Sequence, residues 1–144
     1  MRIDLVNKED YLELITVWEA SVRATHDFLN EEDISFLKPL ILEHYFDAVE
    51  LTCVRNDQGK ILGFSGIADC KIEMLFVAPE SRGQGIGSAL CKHCISEKNV
   101  TEVDVNEQNP AAIKFYENLG FQTIGRSPVD GQGKPFPLLH MKLG

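Results

Sequence analysis

The chain has 144 residues, 44% of them hydrophobic, and a formal net charge of −8. A chain of this length buries about two-thirds of its unfolded surface in one core, so a single domain over residues 1–144 is expected. The acidic balance argues against nucleic-acid binding, which needs a basic footprint, and mildly favours a cationic acceptor such as an amine, although Asp and Glu are scattered along the chain.

No apolar run approaches the roughly 18 residues that cross a bilayer, and no apolar leader stands near Met1, so a cytoplasmic chain with no membrane partner is expected. Cys53, Cys70, Cys91 and Cys94 fall on predicted strands and one helix and read as reduced core or half-buried thiols. Cys91 and Cys94 form Cys-x-x-Cys, but a zinc site lacks its second ligand pair and a thioredoxin-like site lacks its surroundings, so no metal is expected.

A short strand near Ile3 to Val6 opens the chain. Asn7 and Asp10 then form an approximate capping box, and Tyr11, Leu14, Ile15, Trp18 and Val22 recur at helical spacing. Asn30 and Asp33 start a second helical segment with Phe36, Leu37, Leu40, Ile41 and Tyr45 as its apolar side; Pro39 inside it implies a kink or two short helices. Leu51 to Arg55 and Ile61 to Ile67 flank a five-residue hairpin turn, Asn56 to Lys60, and Ile72 to Val77 reads as the next strand.

Arg82-Gly83-Gln84-Gly85-Ile86-Gly87 follows that strand and precedes a helix carrying Ile86, Ala89, Leu90 and Cys94 on one face. Strand, glycine-rich turn and helix in this order make an anion site: backbone N–H groups converge without Cβ atoms in the way, and the helix N-terminus adds partial positive charge. The P-loop ending Gly-Lys-Ser/Thr is absent, and a Rossmann turn needs glycine where Ser88 or Leu90 stands. Val100 to Val105 is the following strand. Asn109 to Leu119 is a helix with Gly120 placed to supply a left-handed residue at its end, and Phe121 to Arg126 and Leu138 to Leu143 form a last pair of strands around a loop rich in glycine and proline.

The spacing Arg/Gln-x-x-Gly-x-Gly/Ala resembles the pyrophosphate-binding turn of the GCN5-related N-acetyltransferases, the GNAT family. Asn109-Pro110-Ala111-Ala112-Ile113-Lys114-Phe115-Tyr116, with Leu119-Gly120-Phe121 behind it, resembles the family's second signature and begins 22 residues after Gly87. Ser21 to Leu29 and Gly125 to Asp130 are similar to the small bacterial YjaB-type acetyltransferases, which extends the likeness to nearly the whole chain. The resemblance implies a mixed α/β (α+β) domain of GNAT type, with a central, mostly antiparallel sheet of six to seven strands flanked by about four helices.

It further implies acetyl-CoA as co-substrate and transfer of its acetyl group to a primary amine, in a protein lysine, an N-terminus or a small molecule, by direct attack in a ternary complex. The backbone from Gly83 to Ser88, including Gln84, would hold the pyrophosphate, with Arg82 beginning the motif. Leu75, Phe76 and Val77 would line the pantetheine arm through strand-like hydrogen bonds, a backbone N–H near Val77 would polarise the thioester, and Asn109 would touch the cofactor further along. Tyr116 would protonate the leaving thiolate, or else simply packs with Phe115.

For the base, Glu73, Asp104 and Glu107 compete in that order, each with the plain alternative of a solvated carboxylate, and a water relay could replace all three. His26 and Asp27 fall where the resemblance places the acceptor pocket, and His140 and Tyr45 are further candidates that sequence does not place; His44 and His93 read as surface or packing residues. A binding module that holds acetyl-CoA as a signal, a different acyl donor, and a monomeric or homodimeric state all remain open at this point.

Overall fold

The computed structural model describes residues 2–26 and 28–144. Seven strands form one sheet: β1 (Arg2–Leu5), β2 (Glu50–Arg55), β3 (Ile61–Ala68), β4 (Lys71–Val77), β5 (Glu102–Asn106), β6 (Phe121–Ser127) and β7 (Leu138–Leu143), in the spatial order β1-β2-β3-β4-β5-β7-β6. Only β4 and β5 run parallel; the other five pairings are antiparallel. The helices are α1 (Tyr11–Thr25), α2 (Glu31–Leu40), α3 (Ile86–Lys98) and α4 (Pro110–Asn118). This is the mixed, mostly antiparallel sheet with four helices that the sequence predicts.

Two apolar layers sandwich the sheet. Leu14, Trp18 and Val22 of α1 meet Ile34, Phe46 and Phe64 on one side, while Cys91 and Cys94 of α3 and Tyr116 of α4 meet Val103, Phe121 and Met141 on the other. Each such side chain contributes about 1.5–3 kcal/mol when fully buried. The apolar run Met74 to Val77 of β4 follows from this arrangement, because a central strand covered on both faces needs apolar residues on both.

The capping pairs are where the sequence places them. The Asn7 N–H donates to Asp10 Oδ2 at 2.9 Å, and Asn30 and Asp33 bond reciprocally at 2.9 and 3.0 Å. Gly120 has φ 101°, the left-handed residue expected after α4.

Around Pro39 the outcome differs in kind. The chain stays helical through the proline, then widens into a π turn over Ile41–Tyr45 and tightens into a 3-10 turn over Phe46–Ala48. The Ile41 N–H is shared between the carbonyls of Leu37 and Lys38. Burial of Ile34, Ile41 and Phe46 holds the segment down, so the lost proline donor is absorbed by a change of pattern rather than a break.

Cys70 is a correction. It is exposed, not half-buried on a strand, because Asp69 and Cys70 form the two-residue turn between β3 and β4 with φ of 52° and 63°. The other three thiols are buried, and burial pushes Cys53 up to about 11 and Cys91 up to about 12. A chromogenic disulfide reagent near neutral pH is therefore expected to titrate one thiol rapidly in the native protein and three more only after denaturation. Fast reaction of Cys91 or Cys94 would contradict this burial.

Candidate active site

The site begins with a parting of strands. β4 and β5 pair only at Lys71 with Glu102 and at Ile72 with Val103, after which they diverge. The backbone edge of β4 from Glu73 onward thus has no strand on that side, while its other edge stays bonded to β3 as far as Val77. An open edge of this kind presents N–H and C=O groups to an extended ligand.

At the point of parting, β4 carries a bulge. Ile72 pairs with Ile67 and Met74 with Gly66, leaving Glu73 as an extra residue without a partner on β3. The bulge resets the alternation. Met74 and Phe76 pack into the layer beneath α1 and α2, and Leu75 and Val77 face the α3 side.

Three cavities meet along this edge. The first, about 440 Å³, is lined by Leu75, Val77, Arg82, Gly83, Gly85, Gly87, Ser88, Phe115 and Tyr116. Gly83 and Gly85 have φ of 77° and 79°, and a Cβ at either would meet nothing within 4 Å, so the turn is an open cradle. Gly85 is the residue preceding α3 and offers no side-chain cap, and the first turn holds no acidic residue. The N–H groups at this helix start are therefore available to an anion. Ile86, by contrast, is 1% exposed and points its side chain into the core, so only its backbone is available.

On the opposite side of β4 lies a cavity of about 460 Å³, walled by Leu37, Tyr45, Val49 and Met74 with Glu73, Asp130 and Gln132 among its polar residues. A small cavity of about 120 Å³ joins the two sides and is lined by both Glu73 and Tyr116, together with Leu75, Phe76, Asp104, Asn109 and His26. His26 also borders a fourth hollow with Arg82 and Asn109; its Nδ1 lies 2.6 Å from Thr25 Oγ1 and its ring lies 6.2 Å from that of Phe76. Asp27 lies outside the described residues.

Tyr116 is 7% exposed, and its ring is held edge-on by Phe115 and Phe121 at 5.0 and 5.6 Å. Burial raises the phenol above its ordinary value, so it keeps its proton through the neutral range. Packing with Phe115 and a position on the small joining cavity are therefore both true of it. Asn109 Oδ1 caps α4 by accepting from Ala112 N–H at 3.2 Å, which leaves its amide nitrogen for the cleft.

The three candidate carboxylates separate clearly. Asp104 Oδ2 lies 2.5 Å from Lys71 Nζ and its Oδ1 lies 2.6 Å from His140 Nδ1, so both oxygens are taken. Glu107 is bound by Arg126 at 2.6 Å. The Glu73 side chain makes no hydrogen bond or ion pair among the described residues and borders both the cavity of about 460 Å³ and the small joining cavity. Glu73 is exposed overall, and partial desolvation of its carboxyl, opposed by Lys71, raises it above the usual range, in the direction that favours taking a proton.

Several participants have no sequence signal of their own. Lys71, Ser127 and Gln132 enter through strand pairing and loop docking; the Gln132 amide donates to the Tyr45 hydroxyl, bringing the loop before β7 over the cavity walled by Leu37, Val49 and Met74. Tyr45 thus faces that cavity, whereas His140 contacts Asp104, which lines the small joining cavity instead.

A splayed parallel pair, with a glycine cradle on one flank and a carboxylate pocket on the other, is the architecture of an acyl-CoA-dependent transferase. The family profile described as "Acetyltransferase (GNAT) domain" matches residues 23–143. The chain is 38% identical over 133 residues to the "Peptidyl-lysine N-acetyltransferase YjaB" of Salmonella typhimurium, covering 92% of this chain and 91% of that protein. The solution structure of apo-form YjaB from Escherichia coli superimposes with a TM-score of 0.89 at 37% identity, covering 98% of this chain and 95% of that one. The paia N-acetyltransferase of Thermoplasma acidophilum, in complex with coenzyme A, shares the fold with a TM-score of 0.74 at 21% identity, over 99% of this chain and 98% of that one. The chain belongs to the GNAT acetyltransferase family and is an N-acetyltransferase.

Proposed function

We propose that the chain, as one catalytic unit over 1–144, transfers the acetyl group of acetyl-CoA to the side-chain amine of a lysine in a protein or peptide. The observation that carries this reading is the joining cavity, on whose wall the Glu73 carboxyl and the Tyr116 phenol both stand. The lysine preference is supported by the acceptor-side cavity, whose apolar wall of Leu37, Val49 and Met74 suits a four-carbon stem and whose carboxylates suit an ammonium, and by the activity named for the Salmonella relative.

Acetyl-CoA supplies the acetyl group already activated as a thioester. The N–H groups from Gly83 to Ser88 and the Arg82 guanidinium receive its pyrophosphate, and the free edge at Leu75, Phe76 and Val77 receives the pantetheine arm. A lysine amine has a pKa of about 10.4, so only about one molecule in a thousand is neutral near pH 7.4. Glu73 takes the ammonium proton, the neutral amine attacks the thioester carbon while a β4 backbone N–H near Val77 stabilises the developing oxyanion, and as the C–S bond breaks the Tyr116 hydroxyl gives its proton to the departing thiolate and is restored by the second proton leaving the nitrogen. His26, which borders the joining cavity and the hollow beside Arg82 and Asn109, stands at the acceptor mouth. Four free thiols support a reducing, cytoplasmic setting, and the protein acts there as a monomer or homodimer.

The test is calorimetric titration with acetyl-CoA, then mass spectrometry of lysine peptides incubated with enzyme and acetyl-CoA. Saturable one-site binding and acetylation of the lysine side chain are expected. Binding without transfer to any amine would identify a sensor module, and transfer to small amines alone would move the acceptor class.

A further inference from the structure

Lys71, Asp104, His140 and Ser127 form a continuous chain of contacts over four neighbouring strands. Lys71 Nζ meets Asp104 Oδ2 at 2.5 Å, Asp104 Oδ1 meets His140 Nδ1 at 2.6 Å, and His140 Nε2 meets Ser127 Oγ at 2.6 Å. The strand register explains it: Asp104 is directly opposite His140, Lys71 sits across the last paired rungs of β4 and β5, and Ser127 closes β6 against β7. In the arrangement these contacts favour, His140 donates from Nδ1 to Asp104 and accepts at Nε2 from the Ser127 hydroxyl. Asp104 is therefore fixed from both sides.

Lys71 and Glu73 are two residues apart on β4, and the charge of Lys71 reaches Glu73. A flexible ammonium beside an unpaired carboxylate normally closes on it, and such a pair lowers the carboxyl pKa by about 1–3 units. Here Lys71 goes to Asp104 instead, and Glu73 is left open to both cavities.

We propose that Asp104 and His140 are positioning residues that hold Lys71 away from Glu73, keeping Glu73 unpaired and able to accept the proton of the acceptor amine. The inference rests on the reading of Glu73 as base. The charged and titratable groups around Glu73 are Asp69 in the preceding turn, Lys71 on its own strand, Asp104 on β5, His26 after α1 and Tyr116 of α4 on the joining cavity, and Tyr45 and Asp130 from the elements packed over the acceptor-side cavity. His140 faces Asp104 across β5 and Ser127 across β6, with Lys142 two residues on opposite Glu102. Of these cations, Lys71 is the one that the Asp104 contact diverts.

The experiment compares pH profiles of kcat/KM on a lysine peptide. In the native protein the profile rises with pH through the Glu73 titration, because the carboxylate is the active form. In Asp104→Asn the freed Lys71 closes on Glu73; the acid limb moves to lower pH by about one unit or more, and the plateau falls about tenfold as the base weakens. Adding Lys71→Met to Asp104→Asn removes the competing cation and returns the limb to its native position or above it. His140→Phe gives a smaller shift in the direction of Asp104→Asn.

Glu73→Gln separates the two levels of the argument. If it keeps both rate and acid limb, the base assignment fails. If it loses them while Asp104→Asn leaves the limb in place, or if Lys71→Met changes nothing in the Asp104→Asn background, the diversion of Lys71 fails. The carboxyl resonance of Glu73, titrated by carbon NMR, reads the same shift without turnover, and a resonance unmoved by Asp104→Asn would overturn the proposal even if that variant were too weakened to assay.

Discussion

Replacing Tyr116 with phenylalanine is expected to lower kcat by about two to four orders of magnitude while leaving acetyl-CoA affinity nearly unchanged, the range for loss of one positioned proton donor. The clean separation follows from where the two halves of the side chain lie. The ring is clasped by Phe115 and Phe121 and belongs to the α4-side core, and phenylalanine keeps those contacts. The hydroxyl makes no hydrogen bond among the described residues and opens on the joining cavity, so its removal strands no buried partner.

A melting temperature close to the native one is therefore expected, and a fall in kcat can be read as lost chemistry. Stopped-flow or steady-state rates at saturating acetyl-CoA make the measurement, with calorimetry as the affinity control. Unchanged turnover would remove the acid role and leave Tyr116 as a packing residue. A large loss of affinity would make it part of the cofactor wall instead.

Much of this was legible in the sequence because it depends on local rules. The glycine turn is read from φ requirements and an N-terminal helix start, the helix ends from Asn30, Asp33 and Gly120, and the buried strands from apolar runs. What was not legible depends on pairing between distant segments. Nothing in Ile72-Glu73-Met74 announces a bulge, since the extra residue appears only when β4 is laid against β3. Asp104 stood second to Glu73 as a candidate base until Lys71 and His140, 33 residues before and 36 after it, arrived on neighbouring strands. Cys70 read as a strand residue because a tight turn with two non-glycine residues at positive φ has no strong sequence mark.

The second large effect is expected at the turn itself. Gly85→Val should weaken acetyl-CoA binding by about tenfold to a hundredfold, corresponding to roughly 1–3 kcal/mol of backbone strain. The cost is conformational rather than steric: a Cβ at Gly85 would meet nothing within 4 Å, but φ of 79° is a region that a β-branched residue adopts only under strain. The relaxed turn would swing its N–H groups off the cradle at the start of α3.

Gly87 provides the internal control, because it lies inside α3 without positive φ and a Cβ there meets Phe115 and Val77 at an ordinary 3.6 Å. Gly87→Ala should therefore keep affinity and hold or slightly raise stability, by about 0.5–1 kcal/mol for alanine over glycine in a helix. Calorimetry on the two variants decides between a site made of backbone geometry and one made of side chains. Equal affinities for Gly85→Val and native protein would mean that the anion is held by Arg82 alone, whereas Gly85→Val failing and Gly87→Ala binding normally would locate the grip in the left-handed turn.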